Sequence, residues 1–442
     1  MPKRPQRHRY LLALGIGLAV LAGCQTPPAG VTTPGAVPYP RIGQELVVKF
    51  KPESSETERE ALRARYGVSA TDGLKPGVER WHLQSQSPES AAQALSREKA
   101  IAFAQPNYLR KTQAYVQGGS PPTSQWYLKG ESGIDMTAAW QQSTAQPPGK
   151  DVVVAVVDTG VDTGHPALAA NILSGNDVDG KRFLDMVGDG PDGSDKAYRF
   201  KDGNGHGTHV AGILAANASG STGLVGVAPG AKILPVKVMR ADGNGDDFTI
   251  AKGFKAAVDA GADIINFSVG GPAPSPILAE AIADGIAKGK TFIIASGNEH
   301  TKVFYPAAYT GVIAVGATAT NTTVAPYSNY GSELAVVAPG GHGNAIADGI
   351  YSTLPRYSNN ASRNTNYGVL TGTSMATPVV SGVAALILAD ARAHNQSLSP
   401  AQIRARLVAS AKPLNGGFNE DAGFGLVQPA AALSGTSHDG AN

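Results

Sequence analysis

The chain has 442 residues, of which 42% are hydrophobic, 16% charged and 6% aromatic, with 54 Gly, 30 Pro and one Cys. That length and core content exclude a disordered chain, and a lone cysteine excludes a disulfide framework or a cysteine-based zinc or iron–sulfur site. The formal net charge is +2, but Lys3, Arg4, Arg7 and Arg9 crowd the first 23 positions and leave a slight acidic excess elsewhere, so no basic stripe for nucleic acid exists.

Residues 10–22 form an apolar run of thirteen behind that basic start. A spanning helix needs about 20 apolar residues, so residues 1–23 read as the signal peptide of an exported bacterial protein. The run ends in Leu21-Ala22-Gly23-Cys24, which resembles a lipoprotein lipobox. That resemblance implies lipidation of Cys24, with an ordinary signal-peptidase site as the alternative. Residues 24–40 hold five prolines and no charge and suit an extended tether.

From 41 to 110 the texture changes. ELVVKF predicts a strand, residues 56–67 a helix closed by Gly67, and VERWHLQS a strand. Residues 88–98 predict a second helix and IAFAQPNYL a last strand. The sum is a small α+β domain of split-βαβ, ferredoxin-like style. Residues 111–124 read as a Gly/Pro/Ser linker.

Between 125 and 435, apolar runs recur: VVVAVVD ending at Asp158, AKILPVKVM, ADIINFSV, TFIIASGN ending at Asn298, VIAVGA and LAVVAPG. They do not alternate, as strands buried on both faces should not. Helical patterns such as FTIAKGFKAAVDAG lie between them. This spells an α/β domain with a doubly wound, mostly parallel sheet, whose site belongs beyond the carboxyl ends of its strands.

Three reactive groups fall at such places. Asp158 closes a strand before Thr159-Gly160, His206 lies in a glycine-rich turn before a helix, and Ser374 opens a long apolar helix with Pro378 in its first turn. Singly, each has a bland reading: a turn aspartate, a structural histidine, an N-cap serine. Together they have the parts of a nucleophilic triad, in which a histidine takes the serine proton and a buried carboxylate orients the imidazole. The order Asp…His…Ser is one of the known convergent orders.

The blocks VVAVVDTGVD, GHGTHVAG and GTSMATP closely resemble the signatures of subtilisin-like serine proteases. The resemblance implies that Asp158 orients the imidazole, His206 is general base then acid, and Ser374 attacks the scissile carbonyl. Ala295-Ser-Gly-Asn-Glu299 resembles the oxyanion-hole segment, with the Asn298 amide and the Ser374 N–H as donors. Ser268, Val269 and Gly270 resemble the edge that pairs with substrate backbone, Gly245 the opposite rim, and Phe304 falls near the pocket floor. Residues 41–110 resemble an inhibitory propeptide, cleaved within 110–125.

No cofactor is expected for catalysis. Calcium is a structural candidate at Asp189, Asp192 and Asp195, with the solvated acidic loop as the alternative; Asn217–Thr222 falls where the family often carries a calcium loop, although Ala167 replaces a usual carboxylate. His165, His209 and His300 show no ligand spacing. The expected partners are protein or peptide substrates and the chain's own propeptide, with membrane contact only through the lipidated N-terminus, and a monomer. Two rivals stay open: an inactive, lipid-anchored peptide-binding pseudoenzyme, and an esterase, for which the triad order is wrong.

Overall fold

The computed structural model describes residues 39–112, the backbone of 115–116, and residues 125–130, 133–190, 193–217, 223–343, 346–357 and 366–435. Residues 1–38, which hold the expected signal peptide, Cys24 and nearly all of the expected tether, lie outside these, as do most of the expected linker, Asp192 and residues 218–222.

The N-terminal domain has the order β1 (Arg41–Phe50), α1 (Glu56–Arg65), β2 (Val68–Lys75), β3 (Val78–Leu83), α2 (Pro88–Leu95) and β4 (Ile101–Thr112). Its strands pair antiparallel in the order β4-β1-β3-β2. Alternate residues of β1 and β3 bury Leu46, Val48, Phe50 and Trp81 against Leu62 and Leu95 of the helices. A capping box between Ser55 and Glu58 starts α1, and Ser87 caps α2. Strand β2 is absent from the expectation because VSATDGLK is polar and largely exposed, an edge strand joined to β3 through Pro76-Gly77. Strand β4 is longer than expected and takes up Lys111 and Thr112, which the linker reading had claimed.

The larger domain is built on a seven-stranded sheet in the order Leu334–Pro339, Ile313–Thr318, Thr291–Ala295, Ile264–Phe267, Val153–Asp158, Lys232–Lys237 and Leu184–Asp185. Every pair in it is parallel. The five longer strands are almost wholly buried, which is why their sequences do not alternate. From Val153–Asp158 the chain first builds one side of the sheet and then returns to build the other, so Asp158 sits at the switch point.

The helices His206–Ala215 and Thr373–Ala393 pack on each other and on the sheet. The second is long and apolar enough to cross a membrane, yet it is buried in the core. Pro378 lies in its second turn rather than its first, so the Ser374 carbonyl receives no helical N–H from that position.

Candidate active site

Asp158 is fully buried, and its carboxylate is held from two sides. Its Oδ1 accepts from the Thr159 N–H at 2.7 Å, and both oxygens face His206 Nδ1, at 2.8 and 2.9 Å. With Nδ1 donating to the carboxylate, Nε2 is left as the acceptor nitrogen. It is buried and, among the described residues, has no hydrogen-bond partner.

Glycine geometry brings His206 to this strand end. Gly205, the N-cap, has φ 101°, a left-handed conformation that a side chain would strain. A Cβ on Gly207 would stand 2.1 Å from the Gly160 carbonyl oxygen and 3.1 Å from Asp158 Cβ. The turn is locked by Asp202, four residues before His206. Its Oδ1 accepts from Thr159 Oγ1 and from the N–H groups of Asn204 and Gly205, and its Oδ2 accepts from the N–H and hydroxyl of Thr208.

Ser374 is the second residue of its helix, among the first-turn N–H groups that have no internal acceptor. Its hydroxyl donates to the Ser268 carbonyl at 2.8 Å, not to His206. Catalytic hydrogen bonds often tighten only when the scissile bond is in place. Asn298 is nearly buried, and its Oδ1 accepts from both the N–H and the hydroxyl of Thr373, at 2.9 and 2.8 Å. That contact assigns oxygen and nitrogen of the amide and turns the NH2 away from Thr373.

Strand β4 runs between two segments of the larger domain. Asn244, Gly245 and Asp246 pair with Lys111, Arg110 and Leu109, while Val269 and Gly270 pair with Thr112 and Lys111. Gly245, Val269 and Gly270 therefore all lie along one extended segment, and Ser268 is one residue further towards Ser374. Beyond it, Tyr115 and Val116 pair with Thr371 and Leu370, just ahead of the Ser374 helix. Phe304 is buried, and a Cβ on Gly297 or Gly270 would meet it at 2.8 or 3.4 Å. Glu299 is exposed.

The anchors of β4 are side chains that the sequence did not single out. Arg110 and Asp247, both buried, form a two-point ion pair, Nε to Oδ1 at 2.7 Å and Nη2 to Oδ2 at 3.1 Å. Burial pushes the Asp247 carboxyl up, and the Arg110 guanidinium opposes that push. Asn107 Oδ1 accepts from the Phe248 N–H, and Gln105 Oε1 from the Ile277 N–H. Each thus caps the start of a helix, Asp247–Asp259 and Pro276–Ala287. Ser275, the N-cap of the latter, makes no side-chain cap of its own.

Of the calcium candidates, Asp192 lies outside the described residues, and Asp189 and Asp195 meet protein groups. Asp195 is buried with Oδ1 accepting from the Ala241 N–H at 2.8 Å and lying 3.5 Å from the buried Lys237 ammonium. Asp185 accepts from the N–H groups of Val187, Gly188 and Phe200, and Asp189 faces Arg199 at 3.6 Å. The Asp185 and Asp195 carboxylates close turns, Asp189 makes a half-exposed ion pair, and among the described residues no three metal-ligating side chains cluster. Lys237, at the carboxyl end of a buried strand, was the available signal for the Asp195 contact. His165 bridges the Ala167 N–H and the Asn366 carbonyl, and burial lowers its pKa. His209 lies 3.3 Å from the Gly368 carbonyl, and His300 is exposed against Tyr330.

Compared with known proteins, residues 26–107 match the Fervidolysin N-terminal prodomain. The structure is similar to that of fervidolysin from Fervidobacterium pennivorans, a keratinolytic enzyme related to subtilisin, with TM-score 0.70 and 28% identity over 90% of this chain; it spans 61% of that chain. The "Major intracellular serine protease" of Bacillus subtilis (strain 168) is 39% identical over 291 residues, 64% of this chain and 83% of that protein. The "Thermophilic serine proteinase" of Bacillus sp. (strain AK1) is 33% identical over 355 residues, 79% of this chain and 78% of that protein. Residues 149–425 match the subtilase family model, and with the Asp158–His206 pair and Ser374 inside that span the chain belongs to the subtilase family of serine proteases.

Proposed function

We propose that this subtilase is an exported endopeptidase made as a self-processing zymogen. Ser374 attacks the scissile carbonyl while His206 Nε2 takes its proton, and Asp158 holds the imidazole and balances its charge. For this the Ser374 hydroxyl turns from the Ser268 carbonyl to Nε2. The oxyanion accepts from the Asn298 NH2 and the Ser374 N–H at the positive end of its helix. His206 then protonates the leaving amine, and water hydrolyses the acyl-enzyme by the same route. No cofactor enters these steps.

The observation that carries the zymogen reading is β4 itself. It fills the cleft between Gly245 and Gly270 by backbone pairing, as an extended peptide substrate would. Such pairing tolerates many sequences. The basic and apolar N-terminus supports export, and Leu21-Ala22-Gly23-Cys24 supports a lipid on Cys24. Cleavage beyond β4 would then free a monomeric catalytic domain from the membrane.

A second reading, a peptide-binding pseudoenzyme, is favoured by one observation, the Ser374 hydroxyl held by Ser268. Intact mass over time decides, for protein starting at Gln25 and for its Ser374→Ala twin. Loss of the N-terminal domain in the wild type alone supports the zymogen. Two stable, folded full-length proteins would put the pseudoenzyme ahead, and equal cutting of both would assign maturation to another protease.

A further inference from the structure

We propose that Asp247 forms an acidic subsite by which the processed enzyme selects substrates with arginine at the fourth residue before the cleaved bond; this rests on the endopeptidase reading above. The subsite is seen here filled by the chain's own Arg110.

Three features make it a built site. The guanidinium is received at two points by Asp247, and its Nη2 also donates to the Ala273 carbonyl at 2.8 Å. A Cβ on Gly271 would stand 3.0 Å from Arg110 Nη1 and 3.3 Å from Cδ, so a glycine there leaves room for the arginine stem. Asp247 is the first residue of its helix, where the dipole favours a carboxylate. Asp247, Gly271 and Ala273 all belong to the catalytic domain and remain after processing. Arg110 and Gln105, which donates to Asp247 Oδ2 at 3.2 Å, leave with the prodomain. Departure of Arg110 leaves the Asp247 carboxylate and the Ala273 carbonyl to receive another guanidinium in the same two-point geometry.

Register gives the position. Thr112 pairs with Val269, next to the Ser268 carbonyl that holds the Ser374 hydroxyl, and Tyr115 pairs with Thr371, three residues before Ser374. The bond midway between those two paired ends is Gln113–Ala114. Cleavage there makes Arg110 the fourth residue back. Lys111 is exposed, so alternation along the strand aims only its neighbours inward. A substrate that pairs in the same register delivers its own fourth residue to Asp247.

The test uses processed wild-type enzyme and internally quenched peptides with one arginine at the third, fourth or fifth residue before a cut located by product mass. The expected result is a mature N-terminus at Ala114 and a kcat/KM about 10²-fold higher for arginine than for norleucine at the fourth position. In Asp247→Asn that ratio collapses towards one. Should this variant fail to mature, Arg110→Gln with Asp247→Asn restores a matched amide pair at the prodomain contact and is read the same way. A preference at another position, no preference, or one that survives in both variants overturns the subsite while leaving the endopeptidase intact. Wild-type enzyme that cuts no peptide overturns both.

Discussion

Ser268 and Ser374 are bound to each other twice: the Ser374 hydroxyl donates to the Ser268 carbonyl at 2.8 Å, and the Ser268 hydroxyl donates to the Ser374 carbonyl at 3.0 Å. The second bond serves the acceptor to which Pro378 has no N–H to return. It continues a buried chain in which Asn266 Nδ2 donates to Ser268 Oγ and Asn266 Oδ1 accepts from Ser381. The segment at Ser268 and the helix that carries Ser374 are thereby tied together by hydrogen bonds. Ser268→Ala leaves the Ser374 carbonyl unserved and should cost about 1–3 kcal/mol. Denaturant unfolding in a Ser374→Ala background, free of self-digestion, measures it; an unchanged midpoint would sink this account.

Thr373 aims Asn298. Asn298→Ala should lower kcat by about 10²–10³, the scale known for subtilisins, with KM little changed. Thr373→Val keeps the backbone donor to Asn298 and removes only the hydroxyl, so about a tenfold fall in kcat at constant KM is expected. Steady-state kinetics on one peptide series checks both, and a change confined to KM would contradict the positioning role.

Gly207→Ala should remove activity although no triad side chain is changed. The added Cβ meets backbone at the Gly160 carbonyl, 2.1 Å away, which no rotamer relieves. Displacing His206 from Asp158 by about 1 Å costs about 10²-fold or more. Self-processing of the variant, followed by mass spectrometry, gives the answer.

Acid stability should depend on Arg356. Burial alone would raise the Asp162 carboxyl, but the Arg356 guanidinium and the backbone N–H groups of Arg356 and Gly164 outweigh burial and hold it below the ordinary 3.8. A depressed carboxylate adds stability that is fully present above its unfolded pKa and is lost as pH falls through the folded one. Arg356 is half exposed, so screening limits the contribution to about 1 kcal/mol. Arg356→Gln should therefore lower Tm at pH 7, and the gap to the parent should close below pH 3.8. A gap that stays constant between pH 7 and pH 3 would rule the ion pair out as its source.

Losing a helix cap supplied by the prodomain should slow folding more than it harms the mature enzyme. Gln105→Ala leaves the Ile277 N–H without its acceptor, at about 0.5–2 kcal/mol. Refolding yield of the full chain should fall, while processed enzyme keeps parental kcat/KM. Equal loss in both would place the defect elsewhere.

What the sequence determined by itself is what short-range pattern encodes. Unbroken apolar runs announced a parallel sheet because such strands are buried on both faces, and the GHGTHVAG and GTSMATP blocks announced reactive groups at helix starts because glycine and small residues mark close approaches there. The polar β2 was silent, since an edge strand needs no apolar alternation. Only the tertiary structure decided where charges go. Arg110 meets Asp247 across 137 positions, Asp195 turns inward to Ala241 and Lys237, and Asp202 ties the histidine turn rather than a cation. A carboxylate looks the same in a sequence whether it ends in water, on a metal or on a backbone N–H. The difference is made by which distant segments the sheet brings to its carboxyl edge, and burial then forces each charge to find a partner among them.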